Sequence, residues 1–388
     1  MIRKKILFIA RWYPDKNDNM LGLFIQKHAR AVHEIHDVTV IYVTADNSIE
    51  LEKTLIDEQN HFGINEIRIY FRKSRFELIN AFKYAYYYLK AVRIAEKKSG
   101  VFNLVHVHVL SRTAFPAILL KFTKGIPYII TEHWSRYLPV NLQNGSYSGI
   151  LRKGFTRVAV TLASAVTTVT SNLASAMQKL HLKNRYYITP NIADIHDFHP
   201  LENKKENSIK KLLHVSCFDE PAKNIMGIIN VIERLSKLRN DFVLEIVGDG
   251  KDFQMVKNHA TQTGLLGKNI FFTGLLTGNE LSSKMREADA FVMFSNYENL
   301  PCTIVESLSS GVPVISTNVG GIAEHISSKF GLLINPRNES ELLNAIQKSL
   351  DFPETFDRQA MRAYALKHFS MEESGKLFHE IYLKSGMK

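Results

Sequence analysis

Short runs of consecutive apolar and β-branched residues recur along the chain, and each is followed by a longer segment with helical spacing. Because the runs are apolar on successive positions and not on alternate ones, they predict buried parallel strands covered by helices on both faces. This pattern occurs twice and predicts an α/β fold with two doubly wound parallel sheets. The predicted strands are residues 5–10, 37–43, 104–109, 128–131, 165–170 and 186–189 in the first half, and residues 211–216, 242–247, 270–272, 290–294 and 314–316 in the second.

The periodic pattern is interrupted between residues 191 and 208, where prolines, aspartates and a polar run at residues 202–207 replace the apolar spacing. We predict a domain of residues 1–195 followed by a domain of residues 196–370, and we expect a C-terminal helix at about residues 371–388 to pack on the first domain. Two such domains side by side would form a cleft that faces the carboxyl ends of both sheets, where α/β proteins bind ligands.

The composition is that of a globular protein, and the two halves of the chain differ in net charge. Of 388 residues, 45% are hydrophobic and 22% are charged, which argues against disorder. The formal net charge is +11, yet residues 1–200 hold 27 Lys and Arg against 15 Asp and Glu, while residues 201–388 hold 22 against 23. This asymmetry indicates that the first domain faces an anionic partner, either nucleic acid or acidic lipid.

Residues 68–98 combine nine Lys and Arg with eight Phe and Tyr and only two Glu. Such a composition is typical of a segment that lies on an anionic membrane surface. The alternative is an ordinary helix whose aromatic face is buried and whose charged face is solvated. Nucleic-acid binding is also compatible with basic and aromatic residues, but the sequence contains no recognisable nucleic-acid module. We therefore expect a membrane surface and no nucleic acid as the partner.

Three features bear on localisation. No stretch is long and apolar enough to predict a membrane-spanning helix. The apolar run after Met1 is short, so we expect a buried first strand and no secretion signal. The two cysteines, Cys217 and Cys302, are far apart, which offers no disulfide framework. We expect a cytoplasmic protein that is peripheral on the inner face of the cytoplasmic membrane.

The segment after the predicted strand 290–294 carries the most informative chemistry. The strand is expected to end in a loop that contains Glu298, and Pro301 suits the first turn of the following helix. The free N–H groups and positive end of that helix would form an anion site suited to a diphosphate. Glu306, in the second turn, can accept hydrogen bonds from the two hydroxyls of a ribose. The alternative is that Glu298 is a turn residue and Glu306 a solvated helix residue.

The chain resembles the retaining GT-B glycosyltransferases of the GT4 type. The family signature of two glutamates separated by seven residues is matched by Glu298 and Glu306, and the runs at residues 311–317 and 320–324 match the family's glycine-containing segments. Further matches occur at residues 188–191, 247–250 and 272–274. The resemblance implies the GT-B architecture of two Rossmann-like domains around a central cleft.

The resemblance also implies roles for individual residues. It assigns Glu306 to the donor ribose, Glu298 to hydroxyls of the transferred sugar, and Lys223 to the phosphates, although the arginine that many relatives have before this lysine is replaced by Cys217 and Phe218. The implied catalytic residues are Glu298, His133 and Lys223, and the implied donor-binding residues are Glu306, Asn299, Leu300, Pro301, Thr303, Gly22 and Gly248.

Two of these residues lie in the first domain. Gly22 occupies a loop before a helix, where a glycine permits close approach of the backbone to phosphates, but the family's usual adjacent pair of glycines is absent. His133 follows a strand and matches the histidine that the family places beside the reacting sugar. We expect it to share a proton near neutrality and to donate to a sugar hydroxyl.

No metal site is predicted. His106 and His108 are two positions apart on one strand and therefore share a face, but the sequence suggests no third ligand, so structural histidines are favoured. There is no Asp-x-Asp motif to hold a metal-bound diphosphate. We expect neither a metal nor a cofactor.

These observations lead to one functional hypothesis and two alternatives. We expect a metal-independent retaining glycosyltransferase that moves a sugar from a nucleotide-diphosphate donor to a glycan or lipid-linked acceptor in bacterial surface polysaccharide synthesis. The alternatives are a sugar-nucleotide epimerase of the same fold and, less favoured, a basic nucleic-acid-binding protein.

Overall fold

The computed structural model describes residues 2–50, 53–143, 145, 147–202 and 208–387, and in them parallel strands alternate with helices. The strands are β1 (Lys5–Ala10), β2 (Asp37–Ala45), β3 (Thr54–His61), β4 (Ile64–Phe71), β5 (Leu104–His108), β6 (Tyr128–Glu132), β7 (Ala165–Thr168), β8 (Tyr186–Ile188), β9 (Lys210–Val215), β10 (Phe242–Val247), β11 (Ile270–Gly274), β12 (Ala290–Met293), β13 (Val314–Thr317) and β14 (Gly331–Ile334). The helices are α1 (Leu23–His33), α2 (Glu77–Ser99), α3 (Ala114–Lys124), α4 (Pro139–Gln143), α5 (Ile150–Leu162), α6 (Ser171–Lys179), α7 (Glu220–Lys223), α8 (Ile225–Ser236), α9 (Phe253–Gln262), α10 (Gly278–Glu287), α11 (Cys302–Ser309), α12 (Glu339–Asp351), α13 (Arg358–Phe369) and α14 (Met371–Lys384).

The chain divides into two compact units. Unit 1 comprises residues 1–192 and 371–388, and unit 2 comprises residues 193–370. The first crossing from unit 1 to unit 2 thus lies three residues before the boundary at 195/196 that the sequence suggested. Most of the polar run expected at the join, residues 203–207, lies outside the described residues.

Unit 1 is built on an eight-stranded sheet in the order β3-β4-β2-β1-β5-β6-β7-β8, in which only β3 is antiparallel to its neighbour. Helices α1 and α14 cover one face, where Phe8 and Val40 pack against Ile25 and Phe378. Helices α2, α3, α5 and α6 cover the other face. Since the chain proceeds outward from β1 on one side and from β5 on the other, the direction of winding reverses between these two strands.

Strand β3 was not predicted because it lacks the apolar run used to recognise buried strands, and its hairpin partner β4 was missed with it. Strand β3 is an edge strand with the sequence TLIDEQNH and is mostly exposed. A tight turn joins it to β4, and both turn residues have positive φ, 54° for Phe62 and 80° for Gly63. Two such residues are typical of the two-residue hairpin turn, whose twist matches that of the strands.

The aromatic side chains of residues 68–98 are divided between the core and the surface of unit 1. Tyr88 on α2 is buried in the core of unit 1, as are Tyr70 and Phe71 on β4. By contrast, Phe82 and Tyr86 on α2 are 76% and 60% exposed. The helix therefore buries one aromatic face and presents another to solvent.

Unit 2 is built on a six-stranded parallel sheet in the order β11-β10-β9-β12-β13-β14. Helices α8, α9 and α12 supply the core on one face, and α10 and α11 contact strands β9 and β13 on the other. The winding reverses between β9 and β12. Strand β14 was not predicted, since only four residues, of which Leu332 and Leu333 are half-buried, separate its flanking turns.

The two doubly wound α/β sheets confirm the predicted fold class. Each predicted strand is present, with ends that differ from the observed ones by at most two residues. None of the helices in the described part of the chain is long and apolar enough to cross a membrane.

Candidate active site

The predicted donor residues of the second half meet at one place in unit 2. Parallel strands end at the same edge of a sheet, and the loops after β9, β10, β12 and β13 all leave this edge. Lys223 follows β9 at the end of α7, and Glu298 follows β12. The two residues therefore flank the point where the winding reverses, which is the usual ligand crevice of an open α/β sheet.

Lys223 and Glu298 form an ion pair at this point. The distance between Lys223 Nζ and Glu298 Oε1 is 2.5 Å, and the two side chains are only 16% and 11% exposed. Ser295 Oγ donates a second hydrogen bond to the same carboxylate oxygen, at 2.9 Å. Two loops that lie far apart in the sequence are thus joined by a largely dehydrated charge pair.

The charge state of Lys223 follows from its surroundings. Burial alone would lower the pKa of Lys223, but the carboxylate of Glu298, with further contributions from Cys217 and Asp219, outweighs burial, and the pKa lies above its ordinary value. The ammonium is therefore charged at neutral pH and has three N–H donors, of which Glu298 takes one. The remaining donors can bind an anion that enters the crevice.

A glycine pair after β13 holds the loop that carries Glu298. Gly320 has a φ of +60°, and a Cβ at this position would lie 2.1 Å from the carbonyl oxygen of Glu298. The next residue, Gly321, donates its N–H to the carbonyl oxygen of Asn299 at 3.0 Å. Thr317 also donates its hydroxyl to the carbonyl oxygen of Ser295 at 2.7 Å. The close approach of Gly320 to Glu298 is one that only glycine permits, and the two hydrogen bonds fix the loop further.

Gly248 plays the same packing role for the loop that leads to Lys223. Its φ is +137°, and a Cβ here would lie 1.9 Å from the carbonyl oxygen of Ser216. Beyond it, Phe218 donates its N–H to the carbonyl oxygen of Asp249 at 2.9 Å. The loops after β9 and β10 thus support each other at the edge where Gly248 was predicted.

Helix α11 begins directly after the Glu298 loop. Pro301 was expected in its first turn, but the helix begins at Cys302 because Pro301 has an extended ψ of 133°; its carbonyl oxygen accepts the N–H of Ile304 at 3.2 Å. Glu306 is 6% exposed and is therefore not the solvated helix residue of the alternative interpretation. Asn299 and Leu300 are buried just before the helix, and Thr303 is half-buried in its first turn.

The two predicted residues of the first half, Gly22 and His133, both lie in unit 1. Gly22 precedes α1 with a φ of +70°, and its missing Cβ would approach the carbonyl carbon of Trp12 to 2.5 Å. Two residues on, Phe24 contacts the ring of His133, with 4.5 Å between ring centroids. The loops after β1 and β6 are thus in contact at the carboxyl edge of this sheet.

His133 belongs to a cluster of imidazoles that sequence analysis missed. His28 from α1, His108 from β5 and His133 each offer a ring nitrogen within 4.8 Å of the others. Nδ1 of His28 and Nε2 of His108 are buried and have no hydrogen-bond partner in the described residues. The sequence offered no third ligand for His106 and His108; the structure instead places His28 and His133 beside His108, and these three imidazoles could hold a transition metal ion.

Burial keeps these histidines neutral. It lowers the pKa of His28 to about 4 and the pKa of His133 well below its usual range, where the neighbouring imidazoles lower it further. The pKa values of His106 and His108 are lowered in the same way. His133 therefore does not share a proton near neutrality, contrary to the sequence-based expectation; it is a neutral donor and acceptor.

Comparison with known families accounts for both units. Residues 24–197 match the model described as Glycosyltransferase Family 4, and residues 197–368 match the model described as Glycosyl transferases group 1. The chain belongs to the group 1 glycosyltransferases and has the GT-B fold. The epimerase alternative is not favoured by these matches.

Individual relatives of this glycosyltransferase are distant. A Bacillus subtilis glycosyltransferase, TuaC, whose name assigns it to teichuronic acid biosynthesis, is 26% identical over 359 residues, which cover 89% of this chain and 88% of TuaC. Sucrose-phosphate synthase from Thermosynechococcus elongatus aligns with a TM-score of 0.80 at 17% identity, covering 98% of this chain and 99% of the synthase. Anabaena HepE in complex with UDP aligns with a TM-score of 0.72 at 17% identity, covering 97% and 98%.

Sequence reasoning missed the residues that support the glycosyltransferase's Glu298 loop and those that complete the histidine cluster. Ser295 lies three residues before Glu298, and its position after a strand was the available signal. Gly320 was noted as part of a family motif, but its contact with Glu298 depends on the pairing of β12 with β13. No sequence signal links His28 to His108, because 80 residues separate them.

Proposed function

We propose that this glycosyltransferase is a retaining enzyme that transfers a sugar from a nucleotide-diphosphate donor to a lipid-linked or other glycan acceptor in bacterial surface polysaccharide synthesis. The Lys223–Glu298 pair carries the proposal, since it sets a fixed ammonium beside a carboxylate at the ligand crevice of unit 2. The complex of HepE with UDP supports a uridine nucleotide as the first donor to test, and the similarity to TuaC supports a surface glycan as the product.

In the proposed site the donor is bound by complementary groups of unit 2. The nucleotide diphosphate lies at the start of α11, where the positive end of the helix favours anions. Buried Glu306 accepts hydrogen bonds from the ribose hydroxyls, and Glu298 accepts from hydroxyls of the sugar through the oxygen that Lys223 does not use. Backbone groups of Asn299, Leu300 and Thr303 line the same position.

Transfer then requires stabilisation of the leaving group. The bond between the sugar C1 and the diphosphate oxygen breaks, the acceptor hydroxyl bonds to C1 from the same face, and its proton passes to the departing diphosphate. Lys223 donates its two remaining N–H groups to this developing negative charge. A preorganised cation at such a position contributes more to the rate than most other single effects. Because Lys223 supplies this charge, we propose that the reaction needs no metal.

The acceptor side is proposed to dock on an anionic membrane surface through unit 1. Unit 1 carries 30 Lys and Arg against 16 Asp and Glu. It also exposes a set of apolar side chains on α2 and α5, here termed the apolar rim. Its members and their exposed fractions are Leu78 (78%), Phe82 (76%), Tyr86 (60%), Ile150 (90%) and Leu151 (90%). Basic charge next to exposed apolar groups is typical of a surface that binds anionic lipid.

The direct test is a search for the donor followed by analysis of the product. Thermal-shift measurements against nucleotide diphosphates and their sugars should reveal a stabilising donor, with the Glu306→Gln variant losing most of the shift. Transfer should release free nucleotide only when an acceptor is present, and NMR should show the anomeric configuration of the donor in the product. Inversion of the anomeric configuration would contradict the retaining assignment. Interconversion of nucleotide sugars without an acceptor would favour the epimerase alternative.

Docking on the membrane is tested separately with vesicles. Binding to vesicles that contain anionic phospholipid should weaken as salt is raised, because charge attraction is screened, and it should be absent with neutral vesicles. The paired Phe82→Ser and Leu151→Ser substitutions should weaken it further. Equal binding to an oligonucleotide would favour the nucleic-acid alternative.

A further inference from the structure

Unit 1 contains a cavity of about 460 Å³ at the carboxyl edge of its sheet, on the face covered by α2, α3 and α5. The loops after β1, β5 and β6 supply its floor, and Ala81 and Ala85 of α2 and Phe155 of α5 form its walls. The lining is notable for four arginines that come from four separate segments: Arg11, Arg112, Arg136 and Arg152.

Most of this positive charge is not compensated by the protein. Arg136 is buried, faces Glu132 at 3.9 Å, and donates to the hydroxyl of Tyr137 at 2.6 Å. The guanidinium groups of Arg11, Arg112 and Arg152 form no hydrogen bond or ion pair with any residue that the structure describes. Arg112 stacks on the ring of Tyr84 at 4.0 Å. The pKa of Glu77 is lowered chiefly by a hydrogen bond from Lys73 and further by the charge of Arg112. No acidic side chain in the described chain lines the cavity.

The position of the cavity in the sheet favours a ligand site. Arg11 follows β1 and Arg112 follows β5, the two strands between which the winding of unit 1 reverses. Ligands of open α/β sheets bind in the crevice outside the carboxyl ends of the strands at such a point. The same topological position in unit 2 holds the Lys223–Glu298 pair.

The apolar rim borders this cavity. On α2, Leu78 and Phe82 lie four residues apart on a stripe next to the one that contains Ala81 and Ala85, because adjacent helical positions are about 100° apart. On α5, exposed Leu151 directly precedes Arg152. The arginine cluster is therefore bordered on α2 and α5 by exposed aliphatic and aromatic side chains.

We infer that the cavity binds the phosphate or diphosphate group of the lipid that carries the acceptor glycan, with the lipid chain held by the apolar rim. This inference rests on the proposed function, because it specifies the acceptor of that reaction. Guanidinium groups match phosphate oxygens in geometry and bind them through paired hydrogen bonds. A free sugar would leave the three arginines unpaired, and a nucleic acid would not use the apolar rim.

The test uses the full chain and three small probes that separate the phosphate from the lipid. These are farnesyl diphosphate, farnesol and inorganic diphosphate. Both tryptophans, Trp12 and Trp134, lie in unit 1, and Trp134 lines the cavity, so intrinsic fluorescence reports binding. Farnesyl diphosphate should bind at least about tenfold more tightly than either of the other two probes, since it alone satisfies both the arginines and the rim.

Variants locate the site. The Arg112→Gln and Arg152→Gln double variant should bind farnesyl diphosphate at least about tenfold more weakly, as expected for the loss of charged hydrogen bonds. The paired Lys153→Gln and Arg157→Gln substitutions remove an equal charge from exposed positions of α5 outside the cavity and should have no effect. Leu151→Ser should lower the affinity for farnesyl diphosphate without changing the affinity for inorganic diphosphate. Circular dichroism confirms that each variant is folded.

Three results would overturn the inference. Unchanged farnesyl diphosphate affinity in the double variant would place the site elsewhere. Equal affinity for inorganic diphosphate would reduce the cavity to an anion site, and preferential binding of an oligonucleotide would assign it to nucleic acid. Since donor binding to unit 2 is measured independently by thermal shift, a chain that binds a nucleotide sugar but no lipid phosphate would contradict this inference and leave the donor assignment intact.

Discussion

The two units have the same winding pattern, but the cations at the crevice of each sheet differ in whether they are paired with a carboxylate. In each sheet the winding reverses at a central strand, and a crevice lies at the carboxyl edge. In unit 2 the cation at that crevice, Lys223, is already paired with Glu298. In unit 1 the corresponding loops present Arg11 and Arg112, which form no ion pair with any described residue.

Under the proposed function, this difference assigns the two crevices to two different substrates. A paired lysine is held in a fixed orientation and retains spare hydrogen-bond donors, which suits a charge that must be stabilised during reaction. Unpaired arginines instead favour an anion that remains bound as an anchor. The net charges agree with this division: unit 1 has 30 Lys and Arg against 16 Asp and Glu, and unit 2 has 19 against 22.

The largest effect is expected from the charge pair in unit 2. Lys223→Met should reduce kcat/KM for transfer by about 10²–10³-fold, because the developing charge on the diphosphate loses its cation. Glu298→Gln should reduce transfer comparably, since it releases Lys223 and weakens contact with the sugar. Steady-state kinetics with the identified donor provides the measurement.

The matched control is Lys237→Met, which removes a lysine paired with Glu233 at an exposed position of unit 2. Its activity should equal that of the parent chain. If Lys223→Met were equally active, the donor site would have to be placed elsewhere.

A stability effect should follow at the backbone contact that fixes Glu298. Gly320→Ala brings a Cβ to within 2.1 Å of a carbonyl oxygen at a positive φ and should lower the free energy of unfolding by about 3 kcal/mol. Gly264 also has a positive φ but has no atom within 4 Å of its missing Cβ. Gly264→Ala should therefore cost only about 1 kcal/mol. Urea denaturation measures the free energy of unfolding of both variants. Equal decreases would contradict the importance of the Gly320 contact.

Mild acid should weaken unit 1 through its histidine cluster. The pKa of His28 is about 4 in the folded chain and about 6.5 when unfolded, so its contribution is present above about pH 6.5 and is lost as the pH falls toward 4. For His28 alone the loss near pH 5 is about 2 kcal/mol. Tryptophan fluorescence during urea unfolding follows unit 1, which contains both tryptophans.

The slope of stability against pH identifies the responsible group. His28→Gln should flatten the decline between neutral pH and pH 5, whereas His181→Gln, at an exposed position of the same unit, should leave the decline unchanged. A decline that is identical in all three proteins would assign the acid sensitivity to other groups.

The smallest effect is expected from removing metal. Treatment with a chelator should leave the rate of transfer unchanged, because in the proposed mechanism Lys223 neutralises the diphosphate. Metal analysis of the treated protein establishes that removal is complete. Loss of activity that zinc restores in the parent chain, but not in His28→Gln, would instead give the cluster of His28, His108 and His133 a metal that the reaction requires.

The sequence contained enough information for the sheets and the donor residues, for different reasons. Buried parallel strands are apolar on both faces, so β1 and β10 were located with their observed ends. The exposed edge strand β3 carries no such signal. Glu298, Glu306 and Lys223 came from a motif and from its resemblance to a family; the structure adds that the first and last are paired.

The remaining features depend on tertiary packing. His28 and His108 are brought together only by the packing of α1 on β5, and Arg11, Arg112 and Arg152 only by the convergence of distant loops. Local patterns of residues cannot encode such meetings. The behaviour of His133 was misjudged for the same reason, since burial among other imidazoles sets its pKa.

Helix α14 gives unit 1 an unusual order of assembly. It follows unit 2 in the chain, yet Phe378 and Ile381 complete the core of unit 1, and the hydroxyl of Tyr382 bonds His106 at 2.8 Å. Since domains generally fold in the order in which they are synthesised, unit 1 emerges first from the ribosome with one face of its sheet covered by α1 alone. That face is sealed only after all of unit 2 has been translated, so the first unit to be made is the last to be finished.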